Sequence, residues 1–557
     1  MKRLVFIVSL NTDESFQAVP LGAACIVSAL RADSRIAAET DIRFRSFSQS
    51  EAGLSGLPVE EAGRRLADIL AREAEAAGVT AGLIAAGFSV YVWNRPVLEA
   101  AALALKTRFP DMLLFAGGPE ITACAETPAV FDWCIRGEGE EADRLLVNSW
   151  LDGAPSLPPG RIPVPLATLP SPWLDGTLDS VPIVRDGRGA LWELSRGCPF
   201  SCSYCYESRG EKTVREIPLP RLEKELEYFS QKGIERIFVL DPTYNASKKR
   251  ALSLLALIEQ KAPDIHFNFE IRAELVDQDL AQAFSRIPCS LQIGLQTVNE
   301  TSLSLVNRPV DFKKFAAGVT RLNTAGIVFG MDLMYGLPGD NLKGFKRSLD
   351  YAIARYPNNL EIFRLAVLPG TELHDRAESL GLVHDKRPPY LVTSTPTFPA
   401  HDLERAGRLA RAVDYFYTQG RAVSWFLAAL HPLDSRPSRF FAAFSGFPAY
   451  QNAVRRADEA EHRDIEAVQL AFLEAQYREA GLLPAFPLLR DLVCLNGAWT
   501  RALAEGETTE LDLSWHPEDL FSPDALDIAG FSDGVCMEPC RVRVFSGPEG
   551  PDLAIEG

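Results

Sequence analysis

Three cysteines in one short segment are the residues whose type and spacing point most directly to chemistry. Cys198, Cys202 and Cys205 follow a C-x3-C-x2-C pattern, so that three of the chain's ten cysteines fall within eight residues. Thiolates are metal ligands, and three of them on one loop predict a metal site. A closed zinc site takes four ligands, and no second C-x2-C or H-x3-H pair follows. The pattern favours a [4Fe-4S] cluster on three cysteines, with one iron open for catalysis.

The elements that must position these thiols are an alternating series of strand and helix patterns. The series begins at Ala190, just before the cysteine motif, and runs to Val367 with six strand patterns. We predict a partial (β/α)6 TIM barrel over residues 189–388. In such barrels the chemistry belongs at the carboxyl ends of the strands.

A second alternating series occupies residues 1–150 and predicts a Rossmann-like domain with a parallel sheet and helices on both faces. Ligands of such sheets bind at the carboxyl ends of the strands. Three strand ends run into turns of glycine and other small residues, where backbone N–H groups can approach a ligand. The candidate binding residues of these turns are Ser89, Gly117, Gly118, Glu120, Gly137, Glu138 and Gly139.

Proline content marks the remaining boundaries. Residues 151–188 are predicted to be a linker, because eight prolines exclude a helix interior or a central strand. After Pro388 and Pro389 begins a mostly helical C-terminal domain, residues 389–557, which we expect to act as a substrate or lid domain. Its Cys536 and Cys540 are either a metal pair, an active-site thiol on the lid, or two ordinary cysteines.

Composition limits the classes of protein. The 557 residues include 57 Lys and Arg against 74 Asp and Glu, a net charge of −17, which argues against a nucleic-acid surface. The apolar start is cut off at Asn11 before a signal sequence forms, and the apolar run 81–93 is too short for a membrane helix. We therefore expect a cytoplasmic protein with reduced thiols and no membrane partner.

The cysteine motif, with Tyr204 before the third cysteine, resembles the signature of the radical S-adenosylmethionine (SAM) superfamily. This resemblance implies that the open iron chelates the amino and carboxylate groups of SAM. An electron from the cluster then cleaves the sulfonium and yields a 5′-deoxyadenosyl radical. It also implies an external reductant such as a flavodoxin or ferredoxin.

The same resemblance suggests roles for polar residues at the ends of barrel strands. Asp241 stands where the family has a glycine-glycine-glutamate turn on the methionyl amine, Gln296 where it has a ribose ligand, and Asp332 along the adenine. Glu270 and Arg272 are two residues apart, so both face one side of their strand, which we expect to be the barrel mouth. Each of these residues has the alternative role of satisfying buried backbone groups.

The N-terminal series is similar to the cobalamin-binding domain that precedes the barrel in one subclass of these enzymes. The glycine turns would then cradle the corrin and its nucleotide tail. No His precedes residue 266, so none can ligate cobalt from below. A Rossmann-like domain that binds no cobalamin stays open as the alternative.

The resemblance extends over most of residues 1–420 to cobalamin-type radical enzymes with a C-terminal domain of unknown function. A rival family, the methylthiotransferases, has three N-terminal cysteines for a second cluster. Cys25, Cys124 and Cys134 do not match that spacing, and we interpret them as buried thiols.

The function implied is an enzyme that transfers a methyl group to an unactivated carbon or phosphorus of a small molecule in secondary metabolism. The first alternative is a radical rearrangement, cyclisation or aminocarboxypropyl transfer. The second is a non-enzymatic iron–sulfur electron-transfer protein.

Overall fold

The structure is a computed structural model that describes residues 2–12, 15–124, 127–207, 213–456, 461–548 and 550–556. Internal contacts divide the chain into two compact units. The first unit contains residues 1–291, 306–308 and 366–392. The second contains residues 292–305, 309–365 and 393–557. The four predicted segments do not coincide with these units and stay a prediction.

The N-terminal part of the first unit is a five-stranded parallel sheet within the described residues, in the order β2-β1-β3-β4-β5. The strands are β1 (Arg3–Asn11), β2 (Thr40–Ser48), β3 (Ile84–Ser89), β4 (Leu113–Gly117) and β5 (Trp133–Cys134). The helices are α1 (Leu21–Ala32), α2 (Ser34–Glu39), α3 (Val59–Ala76), α4 (Arg95–Arg108), α5 (Pro119–Ala123) and α6 (Glu140–Leu151). The predicted Rossmann-like fold is confirmed.

Helices cover both faces of this sheet, which is why β1 is apolar along almost its whole length. On one face Leu66 and Leu70 of α3 and Leu98 of α4 pack with Phe6 of β1. On the other face α1 and α6 pack against the alternate strand residues, such as Ile7. The two apolar layers fix the strand ends from which the glycine turns leave.

The proline-rich segment 151–188 contains one short helix among its described residues, α7 (Pro182–Arg185). It is packed against the protein, since Trp173 is 2% exposed. The Trp173 ring meets the ring of Phe229 edge-on, with centroids 4.9 Å apart.

The next part of the first unit begins the second parallel sheet. β6 (Ala190–Trp192), β9 (Arg236–Val239) and β10 (His266–Ile271) pair in parallel, with β9 in the middle. A separate antiparallel pair is formed by β7 (Ser195–Arg196) and β8 (Arg215–Glu216). The accompanying helices are α8 (Leu219–Lys232), α9 (Lys248–Lys261) and α10 (Gln278–Phe284).

The boundary between the two units falls within β11 (Cys289–Gln296). In the second unit β12 (Val328–Tyr335) and β13 (Asn359–Arg364) pair in parallel. The helices of this stretch are α11 (Glu300–Leu305), α12 (Phe312–Thr324) and α13 (Leu342–Ile353). Strands and helices alternate from β6 to β13 as the sequence pattern predicts, and the mixed α/β fold with a second parallel sheet is confirmed.

Residues 366–392 return to the first unit and contain α14 (Glu372–Asp375) and β14 (Val383–His384). A short strand, β15 (Val392–Ser394), follows. The C-terminal region is then mostly helical, as predicted. It contains α15 (Ala400–Val413), a π-helix (Asp414–Gln419), α16 (Phe426–Leu430), α17 (Pro437–Phe444), α18 (Pro448–Arg456), α19 (His462–Glu479), α20 (Phe486–Glu505), α21 (Pro517–Phe521) and α22 (Ile528–Gly534).

This C-terminal region covers the edge of β13 within the second unit. The Thr418 hydroxyl accepts a hydrogen bond from the Leu360 amide at 3.0 Å and donates one to the Leu360 carbonyl at 3.3 Å. The chain ends in an antiparallel sheet of β16 (Thr509–Leu513), β17 (Cys540–Gly547) and β18 (Gly550–Glu556). Among the described helices, none is long and apolar enough to cross a membrane.

Candidate functional site

The three motif cysteines lie on the loop that leaves β7. Cys198 and Cys202 are buried, with 8% and 6% of their surfaces exposed, and Cys205 is half-buried. The Cys205 amide donates to the Cys202 carbonyl at 3.1 Å, so the second and third cysteines are joined by a tight turn. None of the ten cysteines is in a disulfide.

Residues 306–308 form hydrogen bonds with the cysteine loop and so hold it in place. The Val306 carbonyl accepts from the Ser203 amide at 2.9 Å, and the Asn307 amide group donates to the Ser201 carbonyl at 2.9 Å. The Arg308 guanidinium donates to Cys202 Sγ at 3.6 Å. Arg308 therefore places a positive charge beside Cys202, a candidate metal ligand. No sequence motif indicated this role.

The surroundings of the cysteine loop suit metal-bound thiolates better than free thiols. Burial raises the pKa of Cys198, while hydrogen bonds from the Phe200 amide and the Thr243 hydroxyl oppose that rise. Burial also raises the pKa of Tyr204, which lies beside Cys202 and Arg308. A buried thiol with two donors directed at it is suited to carry negative charge once a metal compensates the burial.

Within the part of the chain that the structure describes, no three His, Cys, Asp or Glu side chains lie close enough to share one metal ion. The three motif thiols are included in that statement. A four-iron cubane binds each thiolate on a different iron, so its ligands surround a volume instead of meeting at a point. Three buried or half-buried thiols on one loop are a donor set that suits such a cluster.

Asp241 follows β9 and holds the strand that leads into the cysteine loop. Its carboxylate accepts from the amides of Leu194 and Ser195, both at 3.0 Å, and from the Ser195 hydroxyl at 2.7 Å. Burial raises its pKa to about 6 in spite of these bonds. The sequence assigned Asp241 to the cofactor, and the geometry gives its oxygens to the backbone of β7.

Arg272 follows β10 and stacks on the cysteine loop. Its guanidinium lies 4.1 Å from the centroid of the Phe200 ring, within the motif, and pairs with Glu274 at 2.6 Å. Asn245 accepts from the Arg272 amide and donates to its carbonyl, at 3.0 and 2.9 Å. Glu270 is exposed on β10. Arg272 thus lies against the cysteine loop, and its predicted role at the barrel mouth beside Glu270 stays a prediction.

Two predicted residues belong to the second unit. Gln296 ends β11 in the left-handed region, with φ of 67°, and is 8% exposed. Its Oε1 is buried without a hydrogen-bond partner in the structure. Asp332 on β12 accepts a hydrogen bond from Gln292. A strained backbone that presents an unsatisfied acceptor is typical of a binding residue.

The glycine turns of the N-terminal sheet surround a cavity of about 230 Å³. Six of the seven predicted turn residues line it, namely Ser89, Gly117, Gly118, Gly137, Glu138 and Gly139. Gly118 has φ of 103°, and a Cβ there would lie 2.6 Å from the Val90 carbonyl oxygen. Only glycine fits this turn, and the backbone is therefore bare where a ligand would approach.

Glu120, the seventh turn residue, lies elsewhere. It is 5% exposed on α5, where its carboxylate accepts from Arg95 at 3.0 Å and from the Tyr390 hydroxyl at 2.9 Å. Arg95 also donates to Cys124 Sγ at 2.8 Å. These bonds tie residues 366–392 to the N-terminal sheet within the first unit.

An ion network centred on Arg196 joins the cysteine loop to the glycine turns. Arg196 pairs with Glu138 at 3.0 Å, with Glu140 at 2.6 Å and with Glu193 at 3.0 Å, and Arg215 pairs with Glu138 at 2.5 Å. Burial opposes ionisation of Glu138, yet Arg215 and Arg196 hold its pKa below the usual value. We call these five residues the Arg196 network.

Arg196 lines three cavities of the first unit, of about 230, 480 and 600 Å³. The 480 Å³ cavity lies beside Gly197 and Tyr206 of the cysteine loop, and the 600 Å³ cavity beside the end of β1. No local sequence pattern indicates this role of Arg196, because Glu140 and Glu138 are 56 and 58 residues away in the chain.

The other cysteines gather no site among the described residues. Cys25 and Cys124 are buried and Cys134 is half-buried, and burial raises the pKa of each. Cys536 is exposed, and Cys540 lies half-buried at the start of β17.

Comparison with known proteins places this geometry in context. The radical SAM superfamily matches residues 192–352. The chain is 26% identical over 423 residues to the cobalamin-dependent radical SAM methyltransferase TokK of Streptomyces tokunonensis, covering 68% of this chain and 58% of TokK. It is 25% identical over 539 residues to the 2-(S-pantetheinyl)-carbapenam-3-carboxylate methyltransferase of Streptantibioticus cattleyicolor, covering 83% of this chain and 78% of that protein.

Solved structures give the same fold. The radical SAM methyltransferase TsrM of Kitasatospora setae superimposes with a TM-score of 0.54 at 15% identity, covering 69% of this chain and 77% of TsrM. The cobalamin-dependent radical enzyme OxsB also reaches 0.54, at 13% identity, covering 86% of this chain and 80% of OxsB. Residues 192–352 therefore form a radical SAM domain, in a chain whose relatives include cobalamin-dependent radical SAM methyltransferases.

Proposed function

We propose that the protein is a cobalamin-dependent radical SAM enzyme that transfers a methyl group to an unactivated carbon or phosphorus of a small molecule in secondary metabolism. The observation that carries this proposal is the Arg196 network, which joins the loop of a candidate cluster to the turns of a candidate corrinoid site. The two relatives named as methyltransferases support the same reaction.

In this proposal Cys198, Cys202 and Cys205 hold a [4Fe-4S] cluster, and Ser89, Gly117, Gly118, Gly137, Glu138 and Gly139 border the cobalamin. The chemistry supplied when the cofactors are bound is reductive cleavage of SAM at the cluster and carriage of a methyl group on cobalt. The electron comes from an external reductant of the flavodoxin or ferredoxin type.

The residues of this chain would then bind and orient SAM. Gln296 Oε1 is a buried acceptor without a partner, so a ribose hydroxyl would satisfy it. Tyr204, Glu270, Arg272 and Asp332 keep, within this proposal, the cofactor roles that the resemblance implies. Asp241, whose carboxylate accepts hydrogen bonds from Leu194 and Ser195, would instead position the strand that leads into the cysteine loop. Arg272 and Arg308 hold the cysteine loop through Phe200 and Cys202.

The cavities of the first unit suit a large cofactor with a flat face. Those of 480 and 600 Å³ share Glu193, Arg196 and Leu240, so they border the same groups. Tyr91 and Trp93, which line the 600 Å³ cavity, are stacked with ring centroids 4.5 Å apart. Stacked aromatic rings offer a flat apolar surface on which such a cofactor could lie. We assign substrate choice to residues 389–557.

The test is an anaerobic incubation of reconstituted protein with SAM and a reductant, followed by assay of the products. A methyl transfer of this type yields S-adenosylhomocysteine from one SAM and 5′-deoxyadenosine from another. Formation of 5′-deoxyadenosine alone would support a rearrangement or cyclisation. Formation of 5′-methylthioadenosine would support aminocarboxypropyl transfer, because that transfer leaves the methylthio group on the adenosine. Formation of none of these products, in protein with a full cluster, would leave the electron-transfer function.

The first methyl acceptor to test is the 2-(S-pantetheinyl)-carbapenam-3-carboxylate of the relative aligned over 83% of this chain. A methylated product that requires both SAM and cobalamin would identify the acceptor class. Unchanged carbapenam beside continued 5′-deoxyadenosine formation would direct the search to other small molecules.

A further inference from the structure

The 230 Å³ cavity of the N-terminal sheet has an apolar wall and one polar group whose role is unassigned. Ile7 of β1, Ala23 and Ile26 of α1, and Phe115 of β4 form the apolar part. A dry cavity of about 150 Å³ accepts benzene, so about 230 Å³ accommodates a fused two-ring system. The volume and the apolar lining suit an aromatic group of two fused rings.

The unassigned polar group is the carboxyl of Asp143, in the first turns of α6. Asp143 lines the cavity and is 5% exposed. Its amide bonds to the Gly139 carbonyl, but among the described residues its carboxyl oxygens have neither a hydrogen-bond nor an ion-pair partner. A Cβ on Gly139 would lie 2.8 Å from Asp143 Oδ2, so a side chain at position 139 would crowd the carboxyl.

A carboxyl that is largely removed from water and has no protein partner disfavours its ionised form. Burial and the nearby Glu140 raise the pKa of Asp143 well above its usual value. The neutral acid has one O–H to donate, and the described protein offers it no acceptor. A ligand in the cavity with an acceptor nitrogen in its ring would satisfy it.

Glu140, which also lines the cavity, is bound to another residue. Its carboxylate pairs with Arg196 at 2.6 Å and is thereby held toward the Arg196 network. Two acidic residues of the same helix thus have different surroundings: Glu140 is paired with Arg196, and Asp143 faces an apolar space.

We propose that Asp143 donates a hydrogen bond to a ring nitrogen of the nucleotide base of cobalamin, and so selects corrinoids that carry such a base, detached from cobalt. The proposal rests on the proposed function. The base has two fused rings and, once detached, an unshared electron pair on the ring nitrogen. No His before residue 266 replaces it as a ligand from residues 1–150.

Two corrinoids and three variants test the proposal. Hydroxocobalamin carries the base and cobinamide lacks it, and dissociation constants for both are measured by absorbance on the full chain. We expect the wild type to bind cobalamin at least about tenfold more tightly than cobinamide, since one such bond is worth about 1–2 kcal/mol. Asp143→Asn keeps an N–H donor and should keep this preference, and Asp143→Leu should lose it.

Asp152→Asn is the matched control, because Asp152 is an exposed acid at the other end of α6 and lines none of the three cavities. It should leave the preference unchanged. Thermal unfolding verifies that Asp143→Leu is folded, and removal of an unpaired buried carboxyl should not lower Tm.

A spectroscopic measurement reads the base directly. Electron paramagnetic resonance of bound cob(II)alamin shows nitrogen splitting when the base ligates cobalt. We expect no such splitting in the wild type. Nitrogen splitting in the wild type, equal affinity of the wild type for both corrinoids, or an unchanged preference in Asp143→Leu would overturn the role of Asp143 alone. Failure of the wild type to retain either corrinoid would overturn the cobalamin assignment as well.

Discussion

The Arg196 network of the first unit and the aromatic cluster of the second are built by opposite means. The network joins two guanidinium groups and three carboxylates beside cavities. The aromatic cluster is centred on Phe416, whose ring meets five others at centroid distances between 4.9 and 5.9 Å. Its other members are Trp425, Phe426, Phe440, Phe441 and Phe444.

This difference separates groups that set the geometry of a site from groups that hold the fold. Buried ion pairs add little net stability, because desolvation offsets their attraction, but they define which chain segments meet. Interlocked rings bury large apolar areas and stabilise strongly. Substitutions in the Arg196 network should therefore mainly reduce activity, and substitutions in the aromatic cluster should mainly reduce the free energy of unfolding.

The largest expected effect comes from replacing Cys198, Cys202 and Cys205 together with Ala. The protein should lose its iron and all SAM cleavage, because the cluster has no other thiols on its loop. Iron content and 5′-deoxyadenosine formation measure this. The control is Cys536→Ala with Cys540→Ala, which should retain both. A full complement of four irons in the triple variant would contradict the assignment.

Phe416→Ala tests the other side of the comparison. Loss of a fully buried ring with five ring neighbours should destabilise the second unit by about 3–5 kcal/mol. Denaturant unfolding measures the change, with Leu503→Ala, an exposed leucine, as the control. At temperatures where the variant is folded, its iron content should equal that of the wild type. A change below about 1 kcal/mol would show that the cluster does not support the fold.

Arg196→Met should uncouple the two cofactor sites without unfolding the protein. Glu140 and Glu193 would then lose their ion pairs with Arg196, and Glu138 would keep only Arg215, so the cysteine loop would lose its fixed position against the glycine turns. We expect methylated product per 5′-deoxyadenosine to fall about tenfold, which corresponds to about 1.4 kcal/mol. Arg161→Met, at the same 480 Å³ cavity, is the control. An unchanged product ratio would assign the network to stability alone.

The smallest effect is a pH dependence in the second unit. Burial, together with Arg421 and Arg501, lowers the pKa of His462 to about 4. The unfolded state binds a proton near pH 6.5 and the folded state does not, so stability should fall as pH decreases from about 6.5 to about 4, by about 1–2 kcal/mol.

Hydrogen exchange of α19 measures the free energy of opening across this range. His462→Gln should flatten the pH dependence, while Glu505, the nearby acid, remains in place. In this variant, hydrogen exchange of the segments around the Arg196 network should be unchanged over the same pH range. A free energy of opening of α19 that rises toward low pH in the wild type would contradict the lowered pKa of His462.

Much of this architecture follows from local sequence patterns. The helical apolar pattern of residues 59–76 forms α3, and the strand patterns of residues 42–47 and 329–336 lie within Thr40–Ser48 and Val328–Tyr335. Apolar periodicity determines these elements because each must bury one face or one edge. The cysteine spacing is equally local, since it lies on one loop.

Other features were decided by tertiary structure. The Arg308–Cys202 contact joins residues 106 apart, and the Tyr390–Glu120 hydrogen bond joins residues 270 apart. Glu120 was predicted to bind a cofactor because it follows a glycine turn, yet its carboxylate meets Arg95 and Tyr390. The unpaired state of Asp143 likewise has no sequence signal. Sequence determines which residues carry charge and which segments form elements, but pairing between charges depends on distances that exist only after the elements have packed.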